Sequence, residues 1–372
     1  MRETDVLVIG AGQAGLSSAY HLARRGLKPL ARAESGGRTM LVLDAEDGPG
    51  GAWRHRWDSL TMATVNNIYD LPGMPQEDVD PAAQSRQVLP DYFGRFEERF
   101  ALDVERPVRV ESVRHETPGD PAGAFVAATT AGDIRARTLV NATGTWNTPF
   151  VPYVPGMRDF TGRHLRTVDY TRAEDFAGLH VAVVGGGISA VGFLVELSTV
   201  TTTSWFTRRE PEFHDGPFRQ HQLTLAVEQV DQRVRQGLAP KSVVAVTGLR
   251  WTPDLLAAKE RGAMDRQPMF DRVEPSGVRL ADGGFQSVDV ILWATGFRAD
   301  IDHLAPLGLR GPGGGIVMDP PMVAADPRIA MVGYGPSAST VGANRAGRVA
   351  ATRLIDWLDS AVSASDGSSG SA

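Results

Sequence analysis

Short apolar runs alternate with longer stretches of helical periodicity along the first part of the chain. Val6–Ile9 is an apolar run that predicts a strand, and Gln13–Arg25 follows it with apolar positions spaced as on one helix face. Leu41–Asp44 predicts the next strand. Strands that alternate with helices are typical of βαβ units, in which the strands pair in parallel. The pattern therefore predicts an α/β fold.

A second unit with the same pattern begins near the middle of the chain. Val181–Val184 predicts a strand, Ser189–Leu197 predicts a helix, and Thr203–Thr207 predicts the strand that follows. The chain therefore contains two βαβ units, separated by a segment rich in proline.

The tripeptide Ala-Thr-Gly follows a strand on each side of this second unit. Ala142-Thr143-Gly144 comes after the strand end at Leu139–Asn141, and Ala294-Thr295-Gly296 comes after Val288–Leu292. The repetition indicates that the second unit is inserted into the first. We predict two Rossmann-like dinucleotide-binding domains. The first is made of residues 1–148 and 291–359 and ends in a helix at Val349–Leu358, and the second is made of residues 149–290. We predict that residues 360–372 form a disordered tail.

Composition excludes several classes of protein. A chain of 372 residues is long enough for two domains, and its net charge of -6 lacks the basic balance that a nucleic-acid partner requires. The absence of cysteine excludes a disulfide framework, a thiolate metal site and a dithiol redox couple. No apolar run is long enough to be a signal segment or a membrane span. We predict a soluble cytoplasmic protein with no nucleic-acid partner, no membrane partner and no metal.

The first glycine-rich turn is Gly10-Ala11-Gly12-Gln13-Ala14-Gly15, directly between a strand and a helix. In this G-x-G-x-x-G pattern, Gly10 permits a tight turn, Gly12 lets the backbone approach a pyrophosphate, and Gly15 lets helix and strand pack closely. Asp44 ends the second strand, where a carboxylate accepts hydrogen bonds from ribose hydroxyls. Glu34 is the alternative acidic residue, but it lies in a loop.

The second glycine-rich turn has the same pattern, but the residues after the strand that follows it are basic instead of acidic. Gly185-Gly186-Gly187-Ile188-Ser189-Ala190 has alanine in place of the third glycine, a tolerated variant. Arg208 and Arg209 follow the next strand, where two guanidinium groups favour the 2′-phosphate of NADPH through charge-assisted bonds. The alternative reading is a solvated basic turn. We predict that NADPH binds here and passes electrons to a flavin held nearby.

Together these motifs resemble the class B flavin-dependent monooxygenases, a family that includes flavin-containing monooxygenases and CzcO-like oxidoreductases. The resemblance extends to about Leu358 and includes Gly50-Gly51-Ala52-Trp53 and Val332-Gly333-Tyr334-Gly335. It implies FAD at the first turn, and Asn66, or less closely Asn67, beside the reactive flavin edge as the catalytic residue. The residues that it places against FAD or NADPH are Gly10, Gly12, Gln13, Ala14, Gly15, Asp44, Gly51, Ala52, Trp53, Ala142, Thr143, Gly144, Gly333 and Tyr334, and Gly185, Gly187, Ile188, Ser189, Ala190, Arg208, Arg209, Ala294, Thr295 and Gly296.

One family motif is only partly kept. The pattern F-x-G-x-x-x-H-x-x-x-[W/Y/F] is matched at Phe160, Gly162 and Tyr170, but Arg166 stands at the histidine position and His164 lies two residues earlier. Baeyer–Villiger enzymes usually keep that histidine, so the departure makes a Baeyer–Villiger reaction a weaker expectation.

The resemblance implies a monooxygenase. In that reading NADPH reduces FAD, and a flavin hydroperoxide formed with O₂ oxygenates a small-molecule nucleophile such as an amine or a sulfide, or attacks a carbonyl compound. Two alternatives stay open: an NADPH-dependent flavoprotein reductase or oxidase without oxygen insertion, and a non-catalytic nucleotide-binding redox sensor. A homodimer is compatible with each of them.

Overall fold

The computed structural model describes residues 1–65, 68–118, 120, 123–216, 220–241 and 248–368. The α-helices are α1 Gln13–Ala23, α2 Ser85–Arg99, α3 Ile188–Leu197, α4 Gln220–Arg235, α5 Pro253–Glu260 and α6 Thr340–Ser368. The strands are β1 Arg2–Ile9, β2 Lys28–Pro29, β3 Thr39–Leu43, β4 Val110–His115, β5 Phe125–Thr129, β6 Ile134–Asn141, β7 Arg163–Arg166, β8 His180–Val184, β9 Thr202–Thr207, β10 Phe213–His214, β11 Leu249–Arg250, β12 Arg266–Pro268, β13 Arg272–Glu274, β14 Gly277–Arg279, β15 Phe285–Ser287, β16 Val290–Trp293, β17 Met318–Asp319, β18 Met322–Val323 and β19 Asp326–Met331.

The first sheet is built around parallel strands that are buried on both faces. Its order is β17-β18-β19-β6-β1-β3-β2, and β1 pairs in parallel with β3 and β6, so that Val8 lies opposite Val42 and Val140. Apolar residues of α1, α2 and α6 cover one face, and the antiparallel pair β4–β5 helps to cover the other. Burial on both faces explains why β1 carries a continuous apolar run instead of an alternating pattern.

The second sheet is parallel throughout, in the order β12-β9-β8-β16-β7. Helices α3 and α5 pack on one face, and the small antiparallel sheet β13-β14-β15 packs on the other. With β8 first, β9 second and β12 third, this arrangement has the 3-2-1-4 strand order of a Rossmann fold. The prediction of an α/β fold with two Rossmann-like units is confirmed.

The chain enters and leaves the second sheet through two segments that lie side by side. The N–H of Phe150 donates to the Gly296 carbonyl at 2.8 Å, and the N–H of Arg298 donates to the Thr148 carbonyl at 2.9 Å. The boundary predicted between residues 290 and 291 cuts through β16, which pairs with both β8 and β7. The return crossing therefore comes after Trp293, later than the sequence pattern indicated.

Helix α4 was placed by sequence in the inserted unit, but it packs on the first one. Ala226, Val230 and Val234 are buried at a four-residue spacing and form one apolar stripe. Val234 belongs to the core of the first sheet, and the N–H of Gly315 donates to the Gly237 carbonyl at 3.1 Å. The assignment of residues 149–290 to one domain is wrong for this helix, because its apolar partners lie on the other unit.

The last helix is longer than its apolar pattern predicted. Helix α6 runs from Thr340 to Ser368, so residues 360–368, predicted to be disordered, are helical. The rest of the predicted tail, residues 369–372, lies outside the described residues. No helix in the described ranges is long and apolar enough to cross a membrane.

Candidate functional site

A cavity of about 620 Å³ opens at the carboxyl ends of β1, β3 and β6. Its volume falls within the range of about 300–1,000 Å³ that is usual for ligand sites. The cavity brings together predicted residues that are far apart in the sequence: Gly10, Gly12, Gln13, Ala14, Asp44, Gly51, Ala52, Trp53, Ala142, Thr143, Gly144 and Gly333.

The first glycine turn has the backbone geometry that its motif predicts. Gly10 adopts a φ of +96°, and a Cβ there would lie 2.7 Å from the Ala142 carbonyl oxygen. A Cβ on Gly15 would lie 1.8 Å from the Gly10 carbonyl oxygen, so only glycine lets α1 approach the turn this closely. Gly12 caps α1, and nothing lies within 4 Å of the position that its Cβ would take. This open space at a helix N-terminus suits a phosphate group.

Asp44 is buried in the cavity wall, whereas Glu34 is exposed and does not line the cavity. One carboxylate oxygen of Asp44 accepts a hydrogen bond from the Ala11 N–H at 2.6 Å, and the other accepts one from the Glu46 N–H at 2.8 Å. A carboxylate has about four acceptor positions, so each oxygen can still accept a ribose hydroxyl. Asp44 thus ties the glycine turn to the end of β3 as well as facing the cavity.

The segment Gly51–His55 forms a 3-10 helix across the mouth of the first turn. A Cβ on Gly51 would lie 3.1 Å from the Gly12 Cα, so the two backbones are in contact there. Trp53 lines the cavity beside them. The predicted catalytic residue, Asn66, and its alternative Asn67 lie outside the described residues, so their role stays a prediction.

The segment after β19 places different groups at the cavity from those that the sequence indicated. Gly333 lines it, but the Tyr334 ring is buried, and its hydroxyl accepts a hydrogen bond from the Ile316 N–H at 3.2 Å. The N–H groups of Gly333 and Tyr334 donate to the Ser337 hydroxyl, at 3.0 and 3.1 Å, rather than into the cavity. Ser337 and the first residue of α6, Thr340, line the cavity instead. Tyr334 does not line the cavity, and its part in cofactor binding stays a prediction.

The second glycine turn repeats the geometry of the first. A Cβ on Gly185, whose φ is +142°, would lie 2.1 Å from the Ala294 carbonyl oxygen, and the space beside Gly187 is open. The indole N–H of Trp205 donates to the Gly185 carbonyl at 2.7 Å and fixes the turn from β9. Ala190 is buried under the turn, whereas Ile188 is 43% exposed at the start of α3. No sequence motif indicates this contact of Trp205, because folding of β9 against the turn brings the two together.

The tripeptide after β16 joins the two units. The Thr295 hydroxyl donates to the Phe150 carbonyl, and Gly296, with a φ of +86°, accepts from the Phe150 N–H. The adjacent Ala294 is buried against the second turn. These contacts fix the segment through which the chain returns from the second sheet to the first unit. Cofactor binding by Ala294, Thr295 and Gly296 stays a prediction.

Three arginines meet the carboxyl end of β9. Arg208 and Arg209 are exposed and make no hydrogen bond or ion pair with any described residue. Arg266, on the neighbouring strand β12, donates from Nε to the Thr207 hydroxyl at 2.8 Å and from a terminal nitrogen to the Thr207 carbonyl at 3.2 Å. Sequence reasoning missed Arg266, because only the pairing of β12 with β9 brings it there.

The partly kept motif lies on the edge strand β7. Arg166 donates two hydrogen bonds to Asp169, both at 2.8 Å, and these bonds raise the pKa of Arg166 and lower that of Asp169. His164 lies between the Met157 carbonyl, at 2.8 Å, and the Trp293 indole N–H, at 3.1 Å. Both side chains are therefore engaged within this unit.

Arg56 lines the cavity and was not singled out by any sequence motif. Its guanidinium carbon lies 4.2 Å from the ring centre of Trp146 and 5.0 Å from that of Trp53. Burial lowers the pKa of Arg56 to about 10. The only sequence signal was a tryptophan three residues before an arginine, and this spacing alone is common.

Comparison with known proteins agrees with this architecture. The family model described as pyridine nucleotide-disulphide oxidoreductase matches residues 4–334. The chain is 31% identical to a mutant of the flavin monooxygenase from Stenotrophomonas maltophilia, with a TM-score of 0.79 over 96% of this chain and 100% of that one. It is 29% identical to the uncharacterised oxidoreductase CzcO from Bacillus velezensis over 56% of each chain. It is 33% identical to indole-3-pyruvate monooxygenase YUCCA1 from Oryza sativa subsp. japonica over 53% of this chain and 46% of that protein. The chain thus spans about half the length of these two curated relatives.

Proposed function

Since the chain belongs to the pyridine nucleotide-disulphide oxidoreductase family, and within it to the class B flavin monooxygenase-like proteins, we propose that it is an FAD- and NADPH-dependent monooxygenase. Its substrate is a small molecule, either a nucleophile such as an amine or a sulfide or a carbonyl compound that reacts as an electrophile. One observation carries the proposal: each of the two sheets has its own glycine turn, the first beside a buried carboxylate and the second beside guanidinium groups that have no partner among the described residues.

The residues of the first unit fit FAD. The open space beside Gly12 would receive the pyrophosphate at the N-terminus of α1, where backbone N–H groups and the helix dipole favour an anion. Asp44 would accept the ribose hydroxyls, and Gly51 and Trp53 would lie along the flavin end of the cavity. The cavity lies at the carboxyl ends of the parallel strands, where such ligands bind.

The second unit fits NADPH better than NADH. Gly187 would receive the pyrophosphate, and Arg208 and Arg209 are free to bind the 2′-phosphate. A charge-assisted hydrogen bond contributes about 1.5–3 kcal/mol, which corresponds to a preference of about ten- to a hundredfold. Arg266 holds the end of β9, from which the two arginines project.

When bound, reduced FAD supplies the activation of O₂, and the protein supplies position and exclusion of water. Trp53, Trp146 and Phe297 give the cavity aromatic walls that limit water near the reacting groups. No protein acid or base is required for this chemistry. The chain has no cysteine, so the dithiol reaction that the family name suggests is not available to it.

A second candidate is an NADPH-dependent flavoprotein reductase or oxidase that does not insert oxygen. One observation favours it: Arg166 stands where the family motif has histidine, and it is bound to Asp169. A non-catalytic redox sensor would differ from both, because NADPH would not reduce its flavin.

The test uses the purified protein loaded with FAD. We expect NADPH to bleach the flavin absorbance faster than NADH does, and ¹⁸O from ¹⁸O₂ to appear in the product of a tertiary amine, a thioether or a ketone. Stoichiometric hydrogen peroxide with no labelled product from any of the three would favour the oxidase. Failure of NADPH to bleach the flavin would favour the sensor, and failure to bind FAD would refute all three proposals.

A further inference from the structure

Arg56 is enclosed by aromatic rings at the boundary between the two units. Its guanidinium carbon lies 4.2 Å from the ring centre of Trp146, 5.0 Å from that of Trp53 and 6.0 Å from that of Trp57. Trp53 packs on the core of the first unit, whereas Trp57 belongs to the core of the second. The guanidinium group is therefore held where the two nucleotide-binding units meet.

This cation has no counter-charge in the described part of the protein. No carboxylate there lies within ion-pair distance of Arg56, no hydrogen bond joins its guanidinium group to a described residue, and its Nε is buried without a partner. Interactions with the faces of aromatic rings attract a cation but do not accept its N–H groups. A guanidinium group whose Nε is buried without an acceptor is costly, so a ligand that supplied an acceptor would be bound strongly.

The surroundings of Arg56 also indicate the shape of that ligand. Arg56, Trp146 and Phe297 all line the cavity, and the rings of Trp146 and Phe297 stack with centres 5.4 Å apart. A flat apolar body can lie against these rings while a planar oxyanion faces the guanidinium fork. The four acidic residues of the cavity wall, Asp44, Glu46, Glu111 and Asp300, form no ion pair with Arg56. Asp44 accepts backbone N–H groups, and Glu46 pairs with His55 at 2.8 Å.

We propose that Arg56 is the receptor for a carboxylate on the substrate, so that this site selects small aromatic carboxylic acids over their neutral counterparts. The inference rests on the proposed function and narrows its substrate class. Arg56 would bind and orient the anionic end of the substrate, and the Trp146 and Phe297 rings would hold its apolar body beside the flavin.

The test is a titration of the oxidised, FAD-loaded protein with phenylacetate and with phenylacetamide, followed by the flavin difference spectrum and by tryptophan fluorescence. The two compounds share size and shape and differ in charge. We expect the acid to bind about ten- to a hundredfold more tightly than the amide, the ratio that one charge-assisted interaction supplies. This preference should disappear in Arg56→Gln and be partly kept in Arg56→Lys. It should persist in Arg54→Gln, a matched control in the same segment whose cation is paired with Asp47.

Equal affinity for acid and amide, binding of neither compound, or a preference that survives Arg56→Gln would overturn the inference. A loss of FAD or NADP⁺ affinity in Arg56→Gln with the acid preference intact would assign Arg56 to a cofactor instead. NADPH is absent from the titration, so its outcome is separate from that of the proposed function. If NADPH bleaches the wild-type flavin but the acid preference is absent, only this inference fails.

Discussion

At the scale of single residues, the Asp44 carboxylate has two roles, one in the structure of the glycine turn and one at the cavity. Its two oxygens accept the backbone N–H groups of Ala11 and Glu46, and its side chain faces the cavity. An amide in its place would keep one acceptor oxygen and turn an NH₂ group towards one of these donors. The carboxylate therefore shapes the glycine turn and also faces the space where we propose that the ligand binds.

We expect Asp44→Asn to lower the affinity for FAD by at least about tenfold, because one charge-assisted bond of about 1.5–3 kcal/mol is lost. Equilibrium titration of the apoprotein with FAD, followed by flavin fluorescence, measures the change. Glu34→Gln is the control, since Glu34 is exposed and away from the cavity. Equal losses in the two variants would show that Asp44 has no special part in binding.

Glycines within helices offer a second comparison at this scale. A Cβ on Gly15 would lie 1.8 Å from the Gly10 carbonyl oxygen, whereas nothing lies within 4 Å of the corresponding position at Gly192 in α3. We expect Gly15→Ala to lower the free energy of unfolding by about 1–3 kcal/mol or more. Gly192→Ala should raise it by up to about 1 kcal/mol, because alanine is the better helix former. Chemical denaturation of both variants measures the two changes. An unchanged free energy of unfolding in Gly15→Ala would contradict the close approach of Gly15 to the Gly10 carbonyl oxygen.

At the scale of elements, the packing of α1 against α6 affects a histidine. His21 on α1 is half-buried, and burial, then Arg25, Arg348 and Arg24, lower its pKa from 6.5 to about 4. The folded state therefore disfavours the protonated histidine. As the pH falls below 6.5, the unfolded chain takes up a proton that the folded chain does not, so stability decreases.

We expect the free energy of unfolding to fall between pH 6.5 and pH 4, and His21→Gln to make that fall smaller. Urea denaturation of the two proteins at several pH values measures the difference. Buried His180 and His303, whose pKa values are also lowered by burial, act in the same direction and are common to both proteins. Parallel curves would show that His21 does not contribute.

The elements of the fold also show which parts of the site could be predicted from the sequence. The strand, glycine turn and helix of each unit were predicted because they are contiguous, and their signals lie within a few residues of one another. Ser337, Arg266 and the pairing of Arg56 with Trp146 were missed, since strand order or folding between distant segments brings them together. Helix α4 was assigned to the inserted unit for the same reason, because its position in the sequence does not show that Val234 packs in the core of the first sheet.

At the scale of the whole molecule, the two glycine turns lie on different sheets, and the strand beside each turn is followed by residues of opposite charge. Asp44 belongs to the first unit, and Arg208 and Arg209 follow β9 of the second. If each unit selects its own nucleotide, damage to one site should leave the other nucleotide's affinity nearly unchanged.

We expect Arg208→Ala to weaken NADPH binding by about tenfold or more, with little effect on NADH and none on FAD content, because one charge-assisted contact to the 2′-phosphate is lost. Titrations with NADP⁺ and NAD⁺ on the FAD-loaded protein measure the two affinities. Arg272→Ala, a change on β13 in the same unit, is the control. Equal losses for both nucleotides would mean that Arg208 does not contact the 2′-phosphate.

The side-by-side crossings have a genetic consequence. The segments around Thr148–Phe150 and Gly296–Arg298 are hydrogen-bonded to each other, so the start and the finish of the insert are neighbours in space. Joining them directly would require only a tight turn, with almost no added cost of loop closure. A recombination event could therefore exchange the inserted nicotinamide-nucleotide unit between homologous genes as one continuous segment. Helix α4 is encoded within that segment but packs on the first unit, so its apolar surface would have to fit the first unit of the recipient protein.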